Sequence, residues 1–344
     1  MTLQELSQKL GMKCAGKADK EISGIKDLES PGEASPDHIY FVESKKRLKK
    51  YSEKIAGVKV ALTVPELAPN FEYAIIVDPP EMARLKFIEL LGIFEKKSQP
   101  EKGISPRASI HPTAKIGKDV SIMENVVVMK DCVIGDGCVL YPNVVVEERA
   151  RVGAQSVLMA GVVIGYNCSL GTNALIHANT VIGADGFGFY DKGGVRHKIP
   201  QIGNVIIGNH VEMGACCTVD RATIESTLVG DYTKFDDHVH IGHNCRVGNY
   251  VFIAGATVLA GSVVLEDRVI IGGQSAIAEH LRMRKGSVLL GMSALTADSQ
   301  EGTIYFGIPA LPAIVMHRIH ALFPKLPELF RRLKESDAAE PSGR

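Results

Sequence analysis

From Ala108 onward an aliphatic residue returns every sixth position: Ile110, Ile116, Ile122, Val128, Ile134, Leu140, Val146, Val152, Leu158, Ile164, Leu170, Ile176 and Ile182. The place two before it is small or β-branched, and glycine often follows it. A helix needs apolar residues at a period near 3.6, and a half-buried strand at a period of 2. A period of six fits neither. It fits short strands joined by tight corners, three to a triangular coil of about 18 residues, with the aliphatic side chain stacked on its counterpart roughly 4.8 Å away. Neighbouring coils pair their backbones, as in other solenoids. The pattern therefore predicts a mainly β protein built on a parallel β-helix.

The rhythm breaks over residues 183–203 ("GADGFGFYDKGGVRHKIPQIG") and resumes at Ile207, Met213 and Val219. It slips by four residues near "RATIESTL", then runs from Val229 to Leu295. The flanks differ. Residues 1–100 read as a small α/β domain, with a helix at "LQELSQKLG", strands at "HIYFV" and "VKVALTV", and a strand then a helix in "YAIIVDPPEMARLKFIELLGIF". Residues 101–107 form a linker into a β-helix domain at 108–310, whose insertion loop is 183–203. Residues 311–344 read as a helical tail with one proline interruption and a disordered end, "AAEPSGR".

Composition narrows the function classes. Apolar residues make up 45% of 344, enough for a large core, and tryptophan is absent. Lys+Arg and Asp+Glu both total 39, so no net charge draws the chain to nucleic acid or an anionic membrane. No apolar signal region opens the chain and no run is long enough to span a bilayer. A soluble cytoplasmic protein is expected. Five of the seven cysteines (Cys132, Cys138, Cys168, Cys217 and Cys245) fall two places before an aliphatic residue. That inward place makes them small core residues, so neither disulfides nor a cysteine-held metal is expected.

Chemistry concentrates in "FDDHVHIGHNCRVG", Phe235 to Gly248, where His238, His240 and His243 lie beside Asp236 and Asp237. The coil period places Gly261 one coil beyond His243 and His280 two coils beyond, offset by one. Zinc wants three protein ligands around an open place, as the gamma-class carbonic anhydrases supply with three histidines. Ala256 and Gly261, one coil above His238 and His243, cannot ligate. A histidine near pKa 6.5 beside a carboxylate serves as a general base, and a glycine N–H as an oxyanion donor. Spacing alone leaves this reading and a bare surface histidine equally open.

The motifs go further. "GADGFGFY", "HKIPQIGNVIIG", "VEMGACCTVDRA", "KFDDHVHIGHN", "AGSVVLEDRVIIGGQSAIAEHL" and "YFGIPA" together resemble UDP-3-O-(3-hydroxyacyl)glucosamine N-acyltransferases of lipid A biosynthesis. The resemblance implies left-handed coils, a homotrimer with sites between subunits, and no metal or other cofactor. It implies transfer of a 3-hydroxyacyl chain from acyl carrier protein to the 2-amino group of a UDP-linked, 3-O-acylated glucosamine, by direct attack. His243 matches the general base, Asp236 its supporting carboxylate, Gly261 the oxyanion donor and His280 a substrate-binding histidine. "FVESKKR" stands where the family holds uracil, so Phe41 is the stacking candidate, and Ser44 and Arg47 replace the usual Asn and Tyr. His240 and Gly242 replace a Gln and an Ala, and His238 and His240 are expected to tolerate substitution. Arg282, Arg284 and Lys285 are candidates for docking the acidic carrier, with Arg331, Arg332 and Lys334 in the tail as a second cluster. Met283 and Met292 are candidates for the floor of an acyl groove.

Overall fold

The structure, a computed structural model, describes residues 1–30, 32–95 and 100–339. The last five residues of the expected disordered end lie outside them. The chain divides into two compact units, 1–99 and 100–344.

In the first unit, strands β1 (Lys13–Ala15), β2 (Gly24–Ile25), β3 (His38–Val42), β4 (Val60–Thr63) and β5 (Tyr73–Ile76) form one sheet in the order β1-β5-β4-β3-β2. All pairs are parallel except β1 with β5. Helix Leu3–Leu10 starts at a capping box, in which Thr2 accepts from the Glu5 N–H while Glu5 accepts from the Thr2 N–H. It buries Leu3, Leu6 and Leu10, and helix Ala83–Phe94 adds Leu90 to the same core.

The second unit is the expected parallel β-helix. Its strands, most of them two residues long, stack into three sheets of ten, nine and twelve strands. The register follows the hexads, so Val128 pairs with Val146 and Ile134 with Val152. Inward aliphatic residues are buried from Ile122 to Leu295, and truncating one to alanine costs roughly 2–5 kcal/mol. Corners turn through a residue with positive φ, such as Asn125 at 58° or Asn244 at 60°. The next residue points inward, and there Thr257 Oγ1 donates to the Gly272 carbonyl at 3.2 Å. Cys245 holds the same place, its thiol on the Ala260 carbonyl at 3.1 Å. Burial pushes this thiol up to about 12 and that of Cys217 up to about 11.

The ladder closes over both interruptions. Leu170 pairs with Ile207 across the insertion, and Ile207 with Val229 across the slip. The insertion itself is an antiparallel hairpin, Phe189–Lys192 against Val195–Lys198. Arg221, buried, fastens its neck. Its guanidinium donates to the Gly183 carbonyl at 2.8 Å on the way in and the Gly203 carbonyl at 3.4 Å on the way out. Past Leu295, strand Ile304–Phe306 joins the twelve-stranded sheet, and the tail forms helices Ala313–Leu322 and Leu326–Ala339. No described helix is long and apolar enough to cross a membrane.

Candidate active site

Strand His240–Ile241 lies on strand Thr218–Arg221, with Thr218 opposite His240 and Val219 opposite Ile241. The chain then turns a corner, and His243 stands on it. The coil above follows the same bend, since Ser262 N–H donates to the His243 carbonyl at 2.8 Å and His280 N–H to the Gly261 carbonyl at 3.1 Å. His243, Gly261 and His280 thus share one edge of the prism, in the expected order.

The half-buried His243 ring occupies a slot between two glycines. A Cβ on Gly261 would stand 2.7 Å from its Cε1 and Nε2, and one on Gly186 would stand 2.7 Å from its Cβ. The insertion, through Gly186, therefore builds one wall of the slot. Gln201 closes the back, its Oε1 accepting from Thr223 Oγ1 at 2.9 Å.

Among the described residues the Gly261 N–H has no acceptor, as at several other corners such as Ala160 and Gly273, but it alone of these stands against the His243 ring. At the equivalent place the Ala215 N–H donates to Asp237 at 2.6 Å, and that of Asn249 to Asp267 at 2.8 Å. Each acceptor sits one coil on. Above Gly261 the corresponding residue is the exposed Glu279, and among the described residues nothing accepts from the Gly261 N–H. A free donor beside an imidazole is the arrangement an oxyanion requires.

Asp236 lies where its seven-residue spacing from His243 puts it. It stands at the preceding corner of the coil, exposed, with its carboxylate accepting from the Gly255 N–H at 3.1 Å and the Asp237 N–H at 2.9 Å. Among the described residues no hydrogen bond joins it to His243 within one chain, because one strand of the prism separates the two corners. A buried acid beside the slot is Asp220, which sequence reasoning passed over. It is 7% exposed, with an oxygen 3.8 Å from His240 Nε2. Burial holds its carboxyl above the usual range, with Asp185 adding to the shift and the His240 and His243 imidazoles opposing it. Its signal lay in the hexad register: Asp220 follows inward Val219 at the corner place that many coils give to glycine. His240, expected to be free, is engaged: its Nδ1 lies 2.7 Å from Thr218 Oγ1. His238 is exposed at a corner.

The remaining candidates divide. Arg282 and Arg284 both reach Glu266 Oε1 at 3.2 Å, and the Lys285 N–H donates to Glu266 at 3.0 Å. The basic cluster is thus partly neutralised, and its backbone and guanidinium donors hold the Glu266 carboxyl below the usual range. Met283 is fully buried among the inward residues and cannot floor a groove, whereas Met292 is exposed. In the first unit Phe41 stacks on Phe87 with centroids 4.3 Å apart. Both line a cavity of about 300 Å³ with Lys26, Asp27, Arg47 and Leu91. Ser44 caps helix Lys45–Lys50 through the Arg47 N–H. Arg47 pairs with Asp27 at 3.3 Å and Glu43 at 3.7 Å, and the buried Arg47 Nε and Glu43 Oε2 have no hydrogen-bond partner. Among the described residues no three His, Cys, Asp or Glu side chains are grouped to hold a metal ion.

A parallel β-helix of six-residue repeats with a histidine at an open corner is the class of fold and site. Residues 104–186 match the family model described as the GMPPB C-terminal domain. The structure is similar to an Arabidopsis UDP-N-acetylglucosamine acyltransferase, with a TM-score of 0.55 and 29% identity over 59% of this chain and 71% of that one. More particularly, the chain is similar to UDP-3-O-acylglucosamine N-acyltransferases, as its motifs indicated. It is 38% identical to that of Methylorubrum extorquens (strain PA1) over 147 residues, 43% of this chain and 42% of the relative. It is 57% identical to that of Dechloromonas aromatica (strain RCB) over 76 residues, 22% of each. The chain thus spans less than half the length of the curated relatives it matches.

Proposed function

We propose that the protein is an acyltransferase of lipid A biosynthesis, moving a 3-hydroxyacyl chain from acyl carrier protein to the 2-amino group of UDP-3-O-acyl-glucosamine. The observation that carries this is the packing of the His243 ring against Gly261, whose N–H is open, in a chain similar to enzymes of that name. The amine attacks the thioester carbonyl, and His243 takes the ammonium proton as the C–N bond forms. The Gly261 N–H stabilises the tetrahedral oxyanion, which collapses to amide and expels the carrier thiolate. The thiolate recovers the proton from the His243 imidazolium. No acyl-enzyme is required.

His280, on the same edge, contacts the substrate. The cavity beside Phe41 and Arg47 receives the uridine, with the Arg47 guanidinium as a donor. Arg282, Arg284 and Lys285 steer the acidic carrier, their charge reduced by Glu266. A homotrimer is supported by a row of outward apolar residues on one sheet, Phe252, Ile270, Val288 and Ile304, in register from coil to coil. Such a row gains about 25 cal/mol per Å² when covered. In a trimer Asp236 of one chain is free to serve the His243 slot of another. The proposed setting is the cytoplasm, where carrier and sugar nucleotide meet.

The test incubates purified protein with 3-hydroxyacyl carrier thioester and UDP-3-O-acyl-glucosamine and follows the product by mass spectrometry. An N-acylated product, lost with His243→Ala, is expected. Acylation of UDP-N-acetylglucosamine instead, or activity that follows stoichiometric zinc, overturns the reading.

A further inference from the structure

His243 has a neighbour whose side chain is fully committed. Asn244 Nδ2 donates to the Ile224 carbonyl at 3.1 Å, and its Oδ1 accepts from the Thr223 N–H at 3.0 Å. Flipping the amide would set donor against donor and carbonyl against carbonyl, so both contacts fix which end is oxygen. That same Oδ1 lies 3.1 Å from His243 Nδ1. An amide oxygen only accepts, so Nδ1 must carry the proton. In the neutral ring the lone pair then falls on Nε2, the atom lying against Gly261.

We propose that Asn244 is a positioning residue that selects the Nδ1–H tautomer of His243 and so leaves the basic lone pair on Nε2, the nitrogen on the Gly261 side of the slot. The resemblance assigned orientation of the ring to Asp236, whose carboxylate in one chain is held at another corner by Gly255 and Asp237. Asn244 needs no second subunit. Its anchors, Thr223 and Ile224, come from the four-residue slip after Arg221. This gives the slip a purpose: a regular 18-residue coil holds no such loop beneath the corner. The Asn244 N–H is itself held by Thr227 Oγ1 at 2.9 Å, so the amide grows from a fixed backbone.

The inference rests on His243 being the base, but its test is separable from acyl transfer. Nitrogen-15 NMR of histidine-labelled full-length protein, with His243 assigned by substitution, reports which ring nitrogen is protonated above the imidazole pKa. Wild type is expected to be Nδ1–H. Asn244→Gly, which suits the 60° φ, is expected to shift the ring towards Nε2–H. It should also lower kcat about a hundredfold, the lower range of what a positioned base supplies. Asn244→Asp keeps the acceptor and is expected to retain the tautomer and restore most of kcat. An Nε2–H ring in wild type, or an unchanged tautomer in Asn244→Gly, overturns the proposal. Should Asn244→Gly fail to fold, the wild-type tautomer still decides. Should wild type show no acyl transfer, the functional reading fails while the tautomer result stands.

Discussion

The corners of the β-helix before the insertion and those after it are built from different residues. Among the described residues up to Asn179, the non-glycine positions with positive φ are Asp119, Asn125, Asp131, Asn143, Arg149, Gln155, Asn167, Asn173 and Asn179. Asp and Asn, whose short polar side chains bond locally, visit this region most readily. Beyond the insertion the described non-glycine positions with positive φ are His210, Cys216, Glu225, Tyr232, His238, Tyr250, Ala256, Ser262, Arg268, Gln274, His280 and Met292, with Asn244 the single asparagine. Each costs about 1–2 kcal/mol that glycine would avoid. The first stretch chooses corner residues for the backbone they permit. The second stretch bears a cost and displays aromatic, basic and apolar groups instead, as a functional region does.

That contrast can be tested by substitution. The largest effect is expected from His243→Ala, which should lower acyl transfer about 10²–10⁴-fold with unchanged circular dichroism. His238→Ala, also at a corner but in no contact with the slot, should leave the rate within about twofold of wild type. Gly261→Ala comes next. Its new Cβ meets the ring at 2.7 Å, and a displacement near 1 Å costs about a hundredfold in rate, measured as kcat under saturating carrier.

Asp220→Asn separates activity from stability. Burial raises the folded-state pKa of Asp220 above its ordinary value of 3.8. The folded protein therefore holds a proton that the unfolded chain has released, and stability falls as pH rises from the unfolded pKa through the folded one. Asparagine removes that loss. The variant should unfold at higher denaturant concentration than wild type at pH 7, and the two midpoints should converge near pH 4. A wild type more stable at both pH values would contradict it. The smallest effect concerns the corners themselves. Ala256→Gly should gain about 0.5–1 kcal/mol, the relief of positive φ less the greater freedom of the unfolded chain. Asn125→Gly, in the first stretch, should change little. Chemical denaturation distinguishes them.

Much of this was legible because the hexad is a covalent ruler. Once Ile241 and Leu259 are known to point inward, His243 and Gly261 must share a corner, and the thiols of Cys217 and Cys245 must be core. Contacts across the interruptions were not legible. The coil spacing across the four-residue slip is 22, not 18, so Asp220 beside His240 and Asn244 beside Thr223 do not follow from the period. The hydrogen-bonded place of His240 was hidden for the same reason. The capping of helix Lys45–Lys50 by Ser44 follows from a serine before a basic run, at the same place where the resemblance puts a uridine contact.

The inward cysteines carry a consequence for how the solenoid opens. Burial raises these thiols, so at neutral pH they are protonated and shielded, and alkylating reagents reach them only when a coil separates. Cys132 and Cys138 lie in early coils, Cys168 just before the insertion, and Cys217 and Cys245 on either side of the slip. The chain is thus provided with gauges along its own axis. Their order of labelling under mild denaturant would read out whether unzipping starts at an end or at the interrupted middle, coil by coil.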